Sequence, residues 1–239
     1  LRAKGYEVTV LDRAKQLGGR AQTFEHQGFV FDAGPTVITA PHLFTELFEL
    51  FNKDIKDYVD IVPVAPWYRF YFPDGDTFDY GDSLEKTLSE IERIAPQDKE
   101  GYLELLTASE AIFDVGFSQL ADKPFHSITT MFKQIPSLVK LKSYLSVWQF
   151  VCSHLKNDKL RQAFSIQPLL VGGNPFTTTS ISCLIHYLER KDGIHFPLGG
   201  TAQIVNQLKL LLEKNNIDIK NEHSLNEINI KNKKVISVK

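Results

Sequence analysis

Gly5-Tyr-Glu-Val-Thr-Val-Leu-Asp12, followed by Leu17-Gly-Gly-Arg20 and Phe31-Asp-Ala-Gly-Pro35, decides how this chain is read. An apolar, β-branched run that closes on an acid is the pattern of the second strand in a nucleotide-binding βαβ unit, where the acid accepts the hydroxyls of an adenosine ribose. Leu1-Arg-Ala-Lys4 reads as the end of a helix, with Gly5 as its stop. No Gly-x-Gly-x-x-Gly occurs and the first residue is not Met, so the expectation is a protein without its first strand and glycine loop.

Moving outward, Glu7–Asp12 reads as a buried parallel strand and Gln22–Phe31 as a short hairpin around Gly28. Pro41 opens a helix carrying Leu43, Phe44, Leu47 and Phe48, and Val59–Val64 is a short strand. Trp67–Phe72 and Thr77–Tyr80 flank Pro73-Asp-Gly75, a hairpin turn. From Ser83 the period changes to helical, with helices expected over Leu84–Ile94, Asp98–Val115, Thr179–Arg190 and Gln203–Lys214. Pro124–Asn157 contains amphipathic segments, with Leu138, Leu141, Leu145 and Trp148 on one stripe. Strand patterns return at Ile217–Ile219, Glu227–Ile230 and Val235–Val238. The expected organisation is an α/β nucleotide-binding domain in two parts, residues 1–64 and 193–239, interrupted by a largely helical substrate domain over 65–192. The chain stops at a strand end, and a closing element is expected beyond it.

The bulk properties narrow the function classes. A hydrophobic content of 43% across 239 residues supports a packed core and argues against disorder. A net charge of -2 gives no reason to expect a nucleic-acid partner. Cys152 and Cys183 share no metal-ligand spacing and read as buried reduced thiols, which points to the cytoplasm. No apolar run approaches a membrane span.

Individual residues carry competing readings. Asp12 is either a ribose acceptor or a strand-end acid capping its own turn. Gly18-Gly19 lets backbone amides approach an anion and Arg20 supplies charge-assisted hydrogen bonds; the alternative is a plain loop with a solvated charge. Gly34, in Asp32-Ala-Gly-Pro35-Thr36, leaves room for a flat ring against the backbone, or simply makes a turn. Gly172-Gly173-Asn174-Pro175 and Gly199-Gly200-Thr201 are hinges or parts of a site. His186, alone on a helix, reads as a satisfied or exposed side chain. Lys133, Lys140 and Lys142 beside the apolar stripe suit either an ordinary surface helix or an anionic membrane surface. No catalytic triad, acid pair or metal cluster is evident, so no catalytic residue is assigned and no metal is expected.

The chain resembles bacterial-type phytoene desaturases, the FAD-dependent carotenoid dehydrogenases. The resemblance runs almost end to end. It is carried by Val10-Leu-Asp-Arg13 with Leu17-Gly-Gly-Arg-Ala21, Gly28-Phe-Val-Phe-Asp-Ala-Gly-Pro-Thr-Val-Ile-Thr39, Leu160-Arg-Gln-Ala-Phe-Ser165, Leu169-Leu-Val-Gly-Gly-Asn-Pro-Phe176, Leu184-Ile-His-Tyr-Leu-Glu-Arg190 and Phe196-Pro-Leu-Gly-Gly-Thr201. Many flavin amine oxidases share the Gly-Gly-Arg portion; the Leu-Val-Gly-Gly-Asn-Pro-Phe and Phe-Pro-x-Gly-Gly-Thr stretches are much more specific to the desaturases.

The resemblance implies a Rossmann-like FAD domain of the flavin amine oxidase type with an inserted substrate domain, and an oxidoreductase that desaturates phytoene, a C40 polyene, in carotenoid biosynthesis. It implies FAD as cofactor, with Asp12 on the ribose, Gly18, Gly19 and Arg20 along the dinucleotide, Gly34, Pro35 and Thr36 near the isoalloxazine, and Leu225 against adenine. It leads us to expect Gly172, Gly173, Asn174, Gly199 and Gly200 along a hydrocarbon tunnel, and peripheral attachment to the inner face of the cell membrane. Departures from the family are Asp12 where Glu is usual, Leu225 where Val is frequent, Asp192 where Trp is frequent, and the absent glycine loop, which leads us to expect this piece alone to be inactive. Two alternatives stand beside this reading: another FAD oxidoreductase of the amine oxidase or protoporphyrinogen oxidase type, and a non-catalytic prenyl-lipid escort on the same fold.

Overall fold

The structure, a computed structural model, describes residues 1–119 and 136–239. They form two compact units, one from Leu1–Val62 with His195–Lys239 and one from Pro63–Ile194.

In the first unit, a short 3-10 turn (Arg2–Lys4) ends at Gly5, whose φ of 85° needs no Cβ accommodated. Strand β1 (Thr9–Asp12) then pairs in parallel with β8 (Asp218–Asn221), Asp12 lying opposite Asn221. Both strands are exposed or half-buried, which corrects the expectation of a fully buried strand. A parallel strand is buried when neighbours cover both edges and both faces; among the described residues β1 is bonded to β8 alone. Strands β2 (Thr23–His26) and β3 (Phe29–Asp32) make the expected hairpin, its turn completed by Gln27 and Gly28 at positive φ. The core lies between two helices, α1 (Pro41–Glu49) and α7 (Ala202–Lys214). Phe48 and Ile55 meet Leu211, while Ile38 and Val59 meet Ile204, with Leu208 packed on both groups. Ile204, Leu208 and Leu211 recur at helical spacing, so one face of α7 is apolar. Pro41 at the first helical position of α1 loses no hydrogen bond there. A final hairpin, β9 (Ile228–Lys231) with β10 (Lys234–Val238), is exposed along its length.

The second unit opens with the hairpin β5 (Tyr68–Tyr71) and β6 (Thr77–Tyr80) around Pro73-Asp-Gly75, as the turn residues dictate. Helix α2 (Leu84–Ile94) is capped by Ser83, whose side chain accepts from the Lys86 amide at 3.1 Å. Helix α3 (Lys99–Phe113) continues into a π turn to Gln119, a departure from the single helix expected over Asp98–Val115. Helices α4 (Val147–Cys152), α5 (Asp158–Ala163) and α6 (Leu184–Asp192) complete the unit. Phe164 is its hub, with ring centroids 5.5, 5.3, 4.8 and 5.8 Å from Phe78, Tyr80, Tyr102 and His186.

Two further expectations need correction. The expected stripe of Leu138, Leu141, Leu145 and Trp148 is not on one helix. Lys142 adopts a left-handed φ of 54° and the Ser143 amide reaches back to Leu138, closing the helical turn; Ser146 then starts α4 with a capping box to Gln149. Lys133 lies outside the described residues. The helix expected over Thr179–Arg190 is a 3-10 turn at Ser180–Cys183 before α6. Ser180 gives its amide to Leu145 and its hydroxyl to Lys142, so it cannot enter a regular helical ladder. Cys152 and Cys183 are free; Cys183 is buried, which pushes its thiol up to about 12.

Candidate functional site

Within the first unit, three glycine-bearing motifs that are far apart in sequence meet. Gly18 and Gly19 turn the chain at φ 121° and 53°, and the Ala21 amide closes the turn on the Gly18 carbonyl at 2.8 Å. The turn is locked from outside by Gly34. A methyl group at Gly34 would overlap the carbonyl of Arg20, so the Gly-Gly-Arg and Asp-Ala-Gly-Pro segments lie backbone against backbone. The Ala33 amide adds a bond to Gln22 at 2.9 Å. Within the chain, what forbids a side chain at Gly34 is the backbone of Arg20.

The third motif arrives through Asp32, at the end of β3. Its Oδ2 accepts the Thr201 amide at 3.3 Å, at the start of α7, and a methyl group on Gly200 would come within 3.3 Å of Oδ1. A carboxylate at this position complements the positive end of α7. Gly199 and Gly200 hold φ near 87° and 89°, so the turn from Pro197 into α7 favours glycine twice. Gly18 completes the junction: a methyl there would meet Val205 of α7 at 3.2 Å. Asp32 was not among the expected site residues. Its signal was its place at the head of Asp-Ala-Gly-Pro, directly after a strand.

Asp12 performs the bland role and leaves capacity for another. Oδ1 accepts the Ala14 amide at 2.8 Å, capping the turn after β1. Oδ2 has no protein donor among the described residues, and the side chain is half-buried. Gly19 faces open space, with no atom within 4 Å of a Cβ built on it, and Arg20, Gly34, Pro35 and Thr36 are exposed. A free carboxylate oxygen at a strand tip and an uncovered glycine turn suit a ribose and a dinucleotide backbone, so these residues fit FAD. Beside them is a polar cavity of about 340 Å³, lined by Lys15, Gln22, Asn206, Lys209 and Asn221 among others. Leu225 is exposed, in the connection between β8 and β9.

Gly172, Gly173 and Asn174 belong to the second unit. Gly172, at φ 75°, ends the 3-10 turn Gln167–Val171, and the Gly173 amide reaches Pro168 at 2.7 Å. A methyl on Gly173 would lie 2.8 Å from the Thr178 hydroxyl. Asn174 Oδ1 accepts the Phe176 amide at 2.8 Å. Leu169, Leu170, Val171 and Phe176 face outward on this segment.

His186 is fully buried on α6, where its Nδ1 and the Gln167 amide nitrogen are 3.0 Å apart. Burial pushes its pKa down to about 4, so the ring is neutral. One turn on, Glu189 is buried as well and accepts the Tyr68 hydroxyl at 2.9 Å. Burial pushes its carboxyl up to about 7, against the opposing influence of Tyr68, Arg190 and Gln167. Arg190 lies under Trp67 and reaches the Gly81 carbonyl and the hydroxyls of Thr87 and Tyr102.

The comparisons with known proteins agree with this architecture. The family model described as flavin containing amine oxidoreductase matches residues 1–238. The chain is 45% identical, over 86% of its length, to the lycopene-forming phytoene desaturase of Pantoea ananas and 33% identical, over 89%, to the neurosporene-forming phytoene desaturase of Cereibacter sphaeroides. It spans 42% and 41% of those relatives. An oxidoreductase from Methanosarcina mazei shares the fold, with a TM-score of 0.66 at 17% identity, over 99% of this chain and 50% of the other.

Proposed function

We propose that this chain, which belongs to the flavin containing amine oxidoreductase family, is part of an FAD-dependent phytoene desaturase of carotenoid biosynthesis. The observation that carries the reading is the junction of Gly18–Arg20, Asp32–Gly34 and Gly200–Thr201, in the same unit as an Asp12 carboxylate oxygen with no protein donor among the described residues. The 45% identity to a lycopene-forming desaturase supplies the substrate class.

In this reading the unit formed by Leu1–Val62 and His195–Lys239 binds the cofactor and Pro63–Ile194 handles the substrate. Asp12 Oδ2 accepts the adenosine ribose hydroxyls. The amides around Gly18 and Gly19 approach the dinucleotide, with Arg20 offering charge-assisted bonds. Pro35 and Thr36 lie near the isoalloxazine, with Gly34 setting the turn that presents them, and Leu225 contacts adenine. FAD, when bound, accepts the hydride that leaves an allylic carbon, while a proton leaves the neighbouring carbon. A hydrocarbon offers no polar handle, so the protein orients it by shape and apolar contact. Gly172, Gly173, Asn174, Gly199 and Gly200 shape that path.

A hydrocarbon substrate resides in lipid, and we place the protein peripherally on the inner face of the cell membrane. Leu169, Leu170, Val171 and Phe176 face outward, Tyr144 and Val139 are exposed on the adjoining segment, and residues 136–152 hold Lys140 and Lys142 but no acid. No helix among the described residues is long and apolar enough to cross a membrane.

The test is expression of the full-length protein in phytoene-accumulating cells, with pigment analysis and a flavin spectrum. Coloured, desaturated polyene with bound flavin is expected. Colourless cells with unchanged phytoene overturn the proposal. Flotation with anionic liposomes tests the membrane contact, and recovery wholly in the unbound fraction removes it.

A further inference from the structure

The turn that leads from Asp12 to Gly18 is held by donors from elsewhere in its unit. Strand β8 ends at Asn221, in register with Asp12. The Asn221 side-chain amide donates to the Lys15 carbonyl at 2.9 Å, across 206 residues of sequence. The residues that follow add their backbone amides: Glu222 donates to the Ala14 carbonyl at 3.2 Å and His223 to the Asp12 carbonyl at 3.0 Å. Gln22 Nε2 reaches the Gln16 carbonyl at 3.3 Å. Asn221 and Gln22 donate from side chains, and Asn221 makes the shorter bond. A backbone donor comes with almost any residue; the Asn221 side chain does not. Asparagine is disfavoured in strands. Its orientation follows from the partner: a carbonyl only accepts, so Nδ2 faces Lys15 and Oδ1 is left as the acceptor. That oxygen is enclosed and has no hydrogen-bond partner among the described residues. An enclosed, unpaired acceptor is costly. Neither feature serves a strand, and breaches of local preference collect at functional sites.

We propose that Asn221 is a positioning residue for the adenosine end of the cofactor. Its bond to Lys15 fixes the turn in which Asp12 divides its carboxylate, Oδ1 on the Ala14 amide at 2.8 Å and Oδ2 for the ribose. The division holds only while Ala14 stays in place. Ala14 lies between Asp12 and Lys15, whose carbonyls are pinned by His223 and Asn221, so releasing Lys15 frees one side of it. Oδ1 then holds its donor less firmly, the carboxylate turns about its side-chain bonds, and Oδ2 no longer points one way. The flavin end is insulated from this change. Gly18 and Gly34 have contacts of their own, with Val205 and with the Arg20 carbonyl. That Oδ2 meets a ribose rests on the proposed function; the hold of Asn221 on the turn does not.

The test uses the full-length protein, stripped of flavin and titrated with FAD and, separately, with ADP. Asn221→Leu keeps much of the side-chain shape and removes the donor. It should raise the dissociation constants for FAD and for ADP by the same factor, about tenfold, as expected for one lost hydrogen bond. The flavin that does bind should keep the wild-type absorption spectrum, since the isoalloxazine end is untouched. In an Asp12→Ala background, Asn221→Leu should change FAD binding by less than about twofold, because a residue that acts through Asp12 has nothing left to act on. Undiminished FAD affinity in Asn221→Leu, an altered flavin spectrum, or the full effect retained in the Asp12→Ala background overturns the proposal. Should Asn221→Leu fail to fold, Asn221→Ala and the same cycle decide. A wild-type protein that binds FAD but leaves phytoene unchanged refutes the desaturase reading and leaves this inference standing. One that takes up neither FAD nor ADP removes both.

Discussion

The unit formed by Leu1–Val62 and His195–Lys239 and the unit formed by Pro63–Ile194 are held together by different means. In the first, the tight contacts at the junction are between backbone groups, such as the Arg20 carbonyl over Gly34. Its buried apolar groups are few, around Phe48, Ile55 and Leu211 and around Ile38, Val59 and Ile204. In the second, side chains fill the interior: Phe164 among Phe78, Tyr80, Tyr102 and His186, with the polar groups of Asp98, Gln167 and Glu189 enclosed. A surface that brings backbone close to a flat, charged cofactor needs small residues there. Under the proposed function, the second unit handles a hydrocarbon and can be filled with rings.

Glycine substitutions probe this contrast most strongly. Gly34→Ala drives a methyl into the Arg20 carbonyl, and both partners are backbone, so neither can rotate away. The expected cost is at least about 3 kcal/mol, read as a lower urea midpoint of the full-length protein. Gly101→Ala is the counterpart in the second unit, where the obstacle is the His154 carbonyl. If Gly34→Ala were mild and Gly101→Ala severe, the junction in the first unit would be more pliable than the contacts indicate.

Asp98 comes next. It is fully buried and accepts the amides of Lys156, at 2.9 and 3.0 Å to its two oxygens, and of Asn157 at 2.7 Å, fixing the chain just before α5. Asp98→Ala leaves two amides without acceptors, and a loss of about 2–4 kcal/mol is expected from denaturant unfolding. A loss below about 1 kcal/mol would mean that water replaces the carboxylate, and that the second unit depends on its rings alone.

The pH dependence sharpens the same contrast, because two buried groups displaced in opposite directions, Glu189 and His186, lie on α6. Glu189 is raised from 4.5 to about 7, so its contribution is complete below pH 4.5 and is lost as the pH rises through 7. His186 is lowered from 6.5 to about 4, so its contribution is complete above pH 6.5 and is lost as the pH falls through 4. Between about pH 4.5 and 6.5 the two slopes offset each other. Glu189→Gln should uncover the histidine alone, giving a stability that falls with acid by on the order of 3 kcal/mol. A flat profile in that variant would show that His186 does not stay neutral in the fold.

What the sequence revealed and concealed follows from how local each signal is. The Pro73-Asp-Gly75 hairpin and the Gly5 stop are fixed by residues next to one another, and both formed as read. The break in the expected stripe was also local: Ser146 and Gln149 spell a capping box, but the apolar spacing of Leu138, Leu141, Leu145 and Trp148 concealed it. The glycine motifs were visible, yet their mutual contacts were not, since Gly34 is explained by Arg20 and Gly200 by Asp32. The buried polar group was out of reach for the same reason. Tyr68 and Glu189 are 121 residues apart, and nothing in His-Tyr-Leu-Glu-Arg indicates which of its side chains is enclosed.

The smallest expected effect on stability separates glycines kept for packing from glycines kept for a ligand. Gly19 has a φ of 53°, and no atom lies within 4 Å of a Cβ built there. Gly19→Ala therefore meets no obstacle and loses only the left-handed preference, about 1 kcal/mol. If the dinucleotide lies over this turn, the added methyl enters its path, and flavin retention should fall by about tenfold or more, the equivalent of roughly 1.4 kcal/mol of binding. Gly34→Ala cannot make this distinction, because it disrupts the junction before any ligand is considered. A Gly19→Ala protein with near-native stability and undiminished flavin would place the cofactor elsewhere on the unit. One that is stable but colourless would show that the open side of the Gly18-Gly19 turn is reserved for it.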